Sequence, residues 1–181
     1  MIEWRMTMKG LVHIYCGDGK GKTTAAMGLA IRCAGAGETV LVFQFLKGNT
    51  SNERKILEEI KNITLLEGYP DVKFSYKMTE QDRQEIIEYY KKRFEDIMKM
   101  LKCGEYRLVL LDEIIATVNL GFLDENVVVD FLKSKPEALE VVLTGREPSD
   151  NLLELADYIT EMKKIKHPYE QGIRARKSIE Y

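Results

Sequence analysis

Long apolar runs are missing from this sequence. The longest, such as Val40 to Phe43 and Leu108 to Leu111, are broken by Gln44 and Asp112 and fall far short of the ~20 residues that cross a bilayer, so no membrane segment is expected. A secretion signal is not expected either, because the opening MIEWRMTMK lacks an apolar core. Cysteine is scarce: Cys16, Cys33 and Cys103 show no CxxC or paired spacing, which argues against disulfides or a zinc site and for a reducing, cytoplasmic protein. The four prolines all follow position 69, and no Pro/Ser-rich linker, repeat or low-complexity tract divides the chain. A charge excess is lacking as well: 27 Lys and Arg against 29 Asp and Glu leave a net charge of −2, too little of one sign for bulk affinity to nucleic acid. Any anion site must therefore be local.

What the 181 residues do contain, 45% hydrophobic and 31% charged, is enough apolar surface for one compact domain and excludes a disordered tail. The expected division is a short N-terminal segment, 1–9, and one domain, 10–181. Short apolar runs alternate with helical stretches: strands at 10–16, 39–45, 107–111, 139–143 and 158–162, and helices at 22–34, 51–61, 125–133 and 150–156. Between them, Ile86, Tyr90, Phe94, Ile97 and Leu101 recur at spacings of three and four, one stripe along a helix over 79–103. Thr79 with Asp82 resembles its capping box and Gly104 its stop. Unbroken runs such as LVLL suit strands covered on both faces. The expected fold is a single-domain α/β protein with a mostly parallel sheet and helices on both faces, and the glycine- and lysine-rich stretch Gly17 to Thr24 after its first strand makes it P-loop NTPase-like (RecA-like).

Directly after the first strand comes Gly17-Asp18-Gly19-Lys20-Gly21-Lys22-Thr23-Thr24, running into the helix-forming AAMGLA. Strand, glycine loop and helix in this order form a phosphate cradle: glycines let backbone N–H groups turn inward, Lys22 adds a point charge and Thr23 offers a hydroxyl to Mg²⁺. The usual spacing GxxxxGK[ST] calls for glycine at position 16, where this chain has Cys16. The loop is one residue tight, so the triphosphate should lie shifted or reversed relative to ordinary P-loop ATPases. Cys16 itself reads as a small buried residue. A second element, LVLL followed by Asp112 and Glu113, supplies the carboxylates of a magnesium motif, although the pair would also serve as a helix cap at a strand end. Were the reaction one in which no water needs activating, Glu113 would be the favoured metal ligand, with Asp112 left open.

With these motifs in order, the chain resembles the P-loop ATP:corrinoid adenosyltransferases, the cob(I)alamin adenosyltransferases. GDGKGKTTAA resembles that family's GNGKGKTTAA, and further matches are VFQFLKG at 42–48, Asn52-Glu53-Arg54, Leu111-Asp112-Glu113, Thr144-Gly145-Arg146, ADYITEM at 156–162, Lys166-His167-Pro168-Tyr169, Gly172-Ile173 and Ile179-Glu180-Tyr181. The resemblance implies transfer of the 5′-deoxyadenosyl group of ATP to the Co(I) of a corrinoid, cobalamin or a cobinamide-type precursor, with triphosphate leaving. It implies ATP contacts at Gly17 to Thr24 with Lys22 as the catalytic cation, Mg²⁺ on Thr23 with Glu113 or Asp112, an electron donor such as a flavoprotein, and a homodimer. Arg146, in a loop at the carboxyl end of a strand, is a further nucleotide candidate.

The same resemblance places corrinoid-facing aromatics in the segment Lys73 to Lys77, making Phe74 and Tyr76 candidates for an apolar wedge that displaces the lower cobalt ligand. The other reading makes them core residues of an edge strand. His167 reads as a structural hydrogen-bonder or a site residue, and the six basic residues between Lys163 and Lys177 as phosphate ligands or a solvated face. Family members often carry an N-terminal extension that closes over the site, whereas nine residues precede the first strand here, which puts such a lid in doubt. The loop motifs alone also fit a small-molecule kinase or a RecA-like ATPase switch.

Overall fold

A computed structural model describes residues 9–70, 72–73 and 75–180. The expected segment 1–9 therefore lies, apart from Lys9, outside the described residues, as does Phe74. Six strands form one sheet: β1 (Val12–Cys16), β2 (Val40–Gln44), β3 (Ile63–Leu65), β4 (Leu108–Asp112), β5 (Glu140–Thr144) and β6 (Tyr158–Glu161). Their order is β3-β2-β4-β5-β1-β6, and every pairing is parallel. The helices are α1 (Lys22–Gly35), α2 (Asn52–Leu57), α3 (Glu80–Lys102), α4 (Ile114–Asn119), α5 (Glu125–Ser134) and α6 (Asp150–Leu155).

Strand alternation sends side chains to two cores. Leu41, Phe43, Val109, Leu111, Val141 and Leu143 pack on one face with residues from α3, α4, α5 and α6. Val40, Val42, Leu108, Leu110 and Val142 pack on the other with Ala26, Met27, Ala30 and Ala34 of α1. Both faces of the central strands are thus covered, which is why their sequences read as continuous apolar runs.

The long stripe behaves as its spacing dictates: Ile86, Tyr90, Phe94, Ile97 and Leu101 are all buried on α3. Thr79 Oγ1 accepts the N–H of Asp82 at 3.1 Å while Asp82 Oδ2 accepts that of Thr79 at 2.9 Å, closing the capping box.

Three local readings are corrected. The helix expected over 51–61 stops at Leu57, because the chain must turn to start β3. Asn62 fixes that turn, its side chain donating to Ala34 O at 3.1 Å and its carbonyl accepting from Val40 N at 2.9 Å. Periodicity also gives no sign of the three-residue β3 or the six-residue α4, both too short for a pattern to develop. Finally, Tyr76 sits on a short 3₁₀ turn, Ser75–Lys77, and is 77% exposed, so it is not a core residue of an edge strand. Among the described residues no helix is long and apolar enough to cross a membrane.

Candidate active site

Parallel strands deliver their carboxyl ends to one side of the sheet, and the loops leaving β1, β2, β4, β5 and β6 meet there. They border a cleft of about 910 Å³, lined by the loop 18–24, Met27, Gly28 and Ile31 of α1, Lys47, Glu113, Arg146 and the C-terminal residues 178–180.

The loop after β1 curls around its own lysine. Lys22 Nζ donates to Gly17 O at 2.8 Å and Gly19 O at 2.7 Å, and Lys22 is only 8% exposed. Gly17 (φ 97°) and Gly21 (φ 114°) take left-handed conformations that favour glycine. A Cβ on Gly19 would lie 2.5 Å from Met162 O, the atom that accepts the Gly19 N–H at 2.6 Å. The strand β6 and its continuation thus press on the loop from outside. Cys16 ends β1, buried, and burial pushes its thiol up. Asp18 Oδ1 accepts the N–H of Lys164 at 2.8 Å, a bond that holds its carboxyl below the ordinary value. Lys20 pairs with Glu180 at 2.9 Å.

Below the loop lies a buried oxygen cluster. Asp112, 0% exposed at the end of β4, accepts through Oδ1 from Thr23 Oγ1 at 2.9 Å and Thr144 Oγ1 at 2.7 Å. Its Oδ2 accepts from Lys47 Nζ at 2.8 Å and Gln44 Nε2 at 3.4 Å. Lys47 Nζ also donates to Thr23 Oγ1 at 3.1 Å. Glu113 follows at φ 61° as the residue before α4, with its N–H on Thr144 Oγ1 at 2.8 Å. Left-handed geometry at a non-glycine residue is strained, and here it turns the Glu113 side chain towards the cleft that Asp112 lies beneath. Burial, then the neighbouring Asp112, push the Glu113 carboxyl up, against the opposing charges of Lys47, Lys22 and Arg146.

The cations converge as well. Burial lowers the Lys22 ammonium from its usual value and Arg146 adds to the effect, against Glu113 and Asp18. Gly145 brings Arg146 to this place: at φ 151° a Cβ there would sit 2.6 Å from Ile115 Cβ, so only glycine passes this close to α4.

The structure therefore gathers Asp18 to Thr24, Glu113 and Arg146 on one cleft, with Gly17 and Asp112 directly behind it. His167 also lines the cleft, its Nδ1 accepting the Tyr169 N–H at 3.2 Å. The basic residues of the C-terminal stretch are exposed, with Lys164 paired to Glu170 at 2.7 Å and Arg176 to Glu180 at 2.9 Å. Tyr76 is not among the lining residues.

Sequence reasoning gave no role to Lys47, Thr144 or Gln44. Each is a polar residue at or just past the carboxyl end of an apolar strand, and that position was the available signal.

As a donor set, Thr23 Oγ1 with the Asp112 and Glu113 carboxylates is all hard oxygen, which suits Mg²⁺ completed by phosphate and water. A cation already rests on it, the ammonium of Lys47 bridging Thr23 and Asp112. Among the described residues no three or more His, Cys, Asp or Glu side chains gather into a protein-only metal cage.

The parallel sheet and the glycine loop between β1 and α1 together define a protein of P-loop NTPase-like, RecA-like fold. Its backbone is similar to that of a KaiC-like protein from Pyrococcus horikoshii, with a TM-score of 0.56 at 16% identity, covering 88% of this chain and 75% of that one. Residues 8–181 match the family described as ATP:corrinoid adenosyltransferase BtuR/CobO/CobP, and the chain belongs to it. A corrinoid adenosyltransferase of Sinorhizobium is 37% identical over 180 residues, 96% of this chain and 81% of that protein. One from Escherichia coli K12 is 32% identical over 173 residues, 96% of this chain and 86% of that protein. The comparisons favour neither the kinase nor the ATPase switch.

Proposed function

We propose that the cleft holds ATP with its triphosphate on the loop Gly17 to Thr24 and presents C5′ to the Co(I) of a corrinoid. The observation that carries this reading is the convergence of Lys22, Arg146 and Lys47 on one cleft where Thr23 is bonded to the buried Asp112. Co(I) is the nucleophile: its electron pair forms the Co–C5′ bond, the C5′–O5′ bond breaks, and the electrons leave on triphosphate. The protein therefore needs no nucleophile of its own. It needs charge stabilisation at the departing triphosphate and placement of C5′ in line with the cobalt.

Lys22, the loop amides and Arg146 supply the first of these. Thr23 with Glu113 or Asp112 would hold Mg²⁺, whose contribution is further neutralisation of the triphosphate. Because the turn starts at Gly17 rather than position 16, the reading includes an ATP shifted or reversed on the loop. An ATP complex with the γ-phosphate deep beside Lys22 and C5′ walled off by protein would overturn that orientation. Phe74 and Tyr76 are assigned to the corrinoid side. An electron donor such as a flavoprotein and a homodimer complete the reading on the strength of the family resemblance, and a cytoplasmic setting on the unpaired cysteines.

The test is direct. Protein incubated with ATP, Mg²⁺, a reductant and hydroxocobalamin should yield triphosphate and a light-sensitive adenosylcorrin in equal amounts. ADP as the nucleotide product would overturn the assignment.

A further inference from the structure

Asp112 is wholly buried, and a buried carboxylate persists as an ion only if a cation and hydrogen bonds replace its water. Lys22 does not serve: its ammonium is bonded to Gly17 O and Gly19 O. The cation on Asp112 is Lys47, at 2.8 Å from Oδ2. The same ammonium lies 3.1 Å from Thr23 Oγ1. Thr23 spends its single proton on Asp112 Oδ1, so Lys47 takes a lone pair of that hydroxyl, which is what a metal ion would also need.

The Lys47 side chain is built to leave. It rises from the loop after β2, lines the cleft, is about a quarter exposed and has a four-carbon stem. Its backbone neighbour Leu46 is pinned at φ 53°, its N–H bonded to Tyr90 Oη at 2.8 Å, so the ammonium can swing while the loop stays. Gln44 Nε2, already 3.4 Å from Asp112 Oδ2, would remain there after Lys47 had gone. The nearest second carboxylate, Glu53, stands 4.0 Å from Lys47 Nζ.

We propose that Lys47 is an exchanging counter-ion, paired with Asp112 and Thr23 in the nucleotide-free protein and transferred to the triphosphate when a divalent cation takes those oxygens. Asp112 is then neutralised in both states, and a further positive charge reaches the leaving group only when the site is loaded. This rests on the reading of Thr23 and Asp112 as Mg²⁺ oxygens given above.

Lys47→Met and Lys47→Arg, made in the full chain, test it by thermal melting and by binding of inorganic tripolyphosphate. Without metal, Lys47→Met should melt roughly 5 °C or more below the parent because Asp112 is left unpaired, and millimolar Mg²⁺ alone should close most of that gap while moving the parent little. Mn²⁺ alone, followed by its paramagnetic resonance signal, should bind Lys47→Met about tenfold more tightly than the parent, since it no longer competes with an ammonium. Tripolyphosphate with Mg²⁺ should bind Lys47→Met about tenfold more weakly, and Lys47→Arg should melt as the parent does.

A melting gap that Mg²⁺ leaves open would make Lys47 a structural ion-pair partner and overturn the exchange. So would equal tripolyphosphate affinity in Lys47→Met and the parent. If the parent itself binds tripolyphosphate equally with and without Mg²⁺, the metal reading fails on the unmutated protein, and the exchange falls with it.

Discussion

The hydroxyl of Tyr90 accepts the backbone N–H of Leu46 at 2.8 Å. This bond ties the buried stripe of α3 to the loop that carries Lys47, and it holds Leu46 in its left-handed conformation. Tyr90 is fully buried, between Phe45 and Tyr89, and burial pushes its phenol up to about 12.

Tyr90→Phe keeps the ring and removes only the acceptor. It should cost about 1 to 2 kcal/mol, the penalty for an unpaired N–H with limited access to water. Urea denaturation reads the stability. The KM for ATP should rise with kcat less affected, because the loop is loosened and no reacting group is lost.

Lys22→Ala removes the cation at the centre of the loop. Turnover should fall by a hundredfold or more, in the range of lost electrostatic stabilisation at a leaving group. The carbonyls of Gly17 and Gly19 lose a donor but can turn to water at the cleft, so the melting temperature should shift by only a few degrees. Near-normal turnover at saturating ATP would sink the role given to Lys22.

Thr144→Val tests the buried cluster from below. Thr144 Oγ1 donates to Asp112 at 2.7 Å and accepts the Glu113 N–H at 2.8 Å; valine keeps the shape and offers neither. The buried Asp112 and the partly buried Glu113 N–H each lose a bond, so a stability loss of about 2 to 4 kcal/mol is expected. Calorimetric melting measures it, and an unchanged melt would mean that water replaces the hydroxyl.

At the amino ends of the strands, Glu140 Oε2 accepts from Leu11 N at 2.8 Å and lies 3.0 Å from His13 Nε2, and its Oε1 accepts from Arg107 at 3.2 Å. Burial alone would push its carboxyl up, but these partners outweigh burial and hold it below its ordinary value of 4.5. A lowered carboxylate contributes stability above its unfolded value and loses it as pH falls through the folded one. Glu140→Gln should therefore melt below the parent at neutral pH, by about 1 to 2 kcal/mol for a partly exposed group. The gap should narrow as pH falls below the ordinary carboxylate value and vanish once the folded-state carboxyl is protonated, and a gap that persists in strong acid would mean that shape rather than charge is at work.

Tyr76 is 77% exposed, so Tyr76→Ala should leave the melt unchanged. If it contributes to the corrinoid wedge, turnover from cob(II)alamin under a mild reductant should drop, while turnover from chemically prepared Co(I) is largely kept. Every ~59 mV of one-electron potential is a factor of ten in the Co(I) fraction. Equal loss from both cobalt states would remove Tyr76 from the reduction step. The same pair of assays on Phe74→Ala reads the partner residue.

Much of this protein is determined by sequence alone because its signals are local. The period of three and four in α3, the unbroken apolar runs of the central strands and the glycine loop between β1 and α1 each follow from backbone geometry within a few residues, and each stands where the pattern puts it. Tertiary structure decided what depends on residues far apart in the chain. The parallel order β3-β2-β4-β5-β1-β6 sets Thr23, Lys47, Asp112 and Thr144 around one point, although 121 positions separate the first from the last. No local pattern could mark Lys47 as the partner of Asp112, because the pairing exists only once β2 and β4 lie side by side and the buried carboxylate has to be neutralised by whatever cation the neighbouring loop provides.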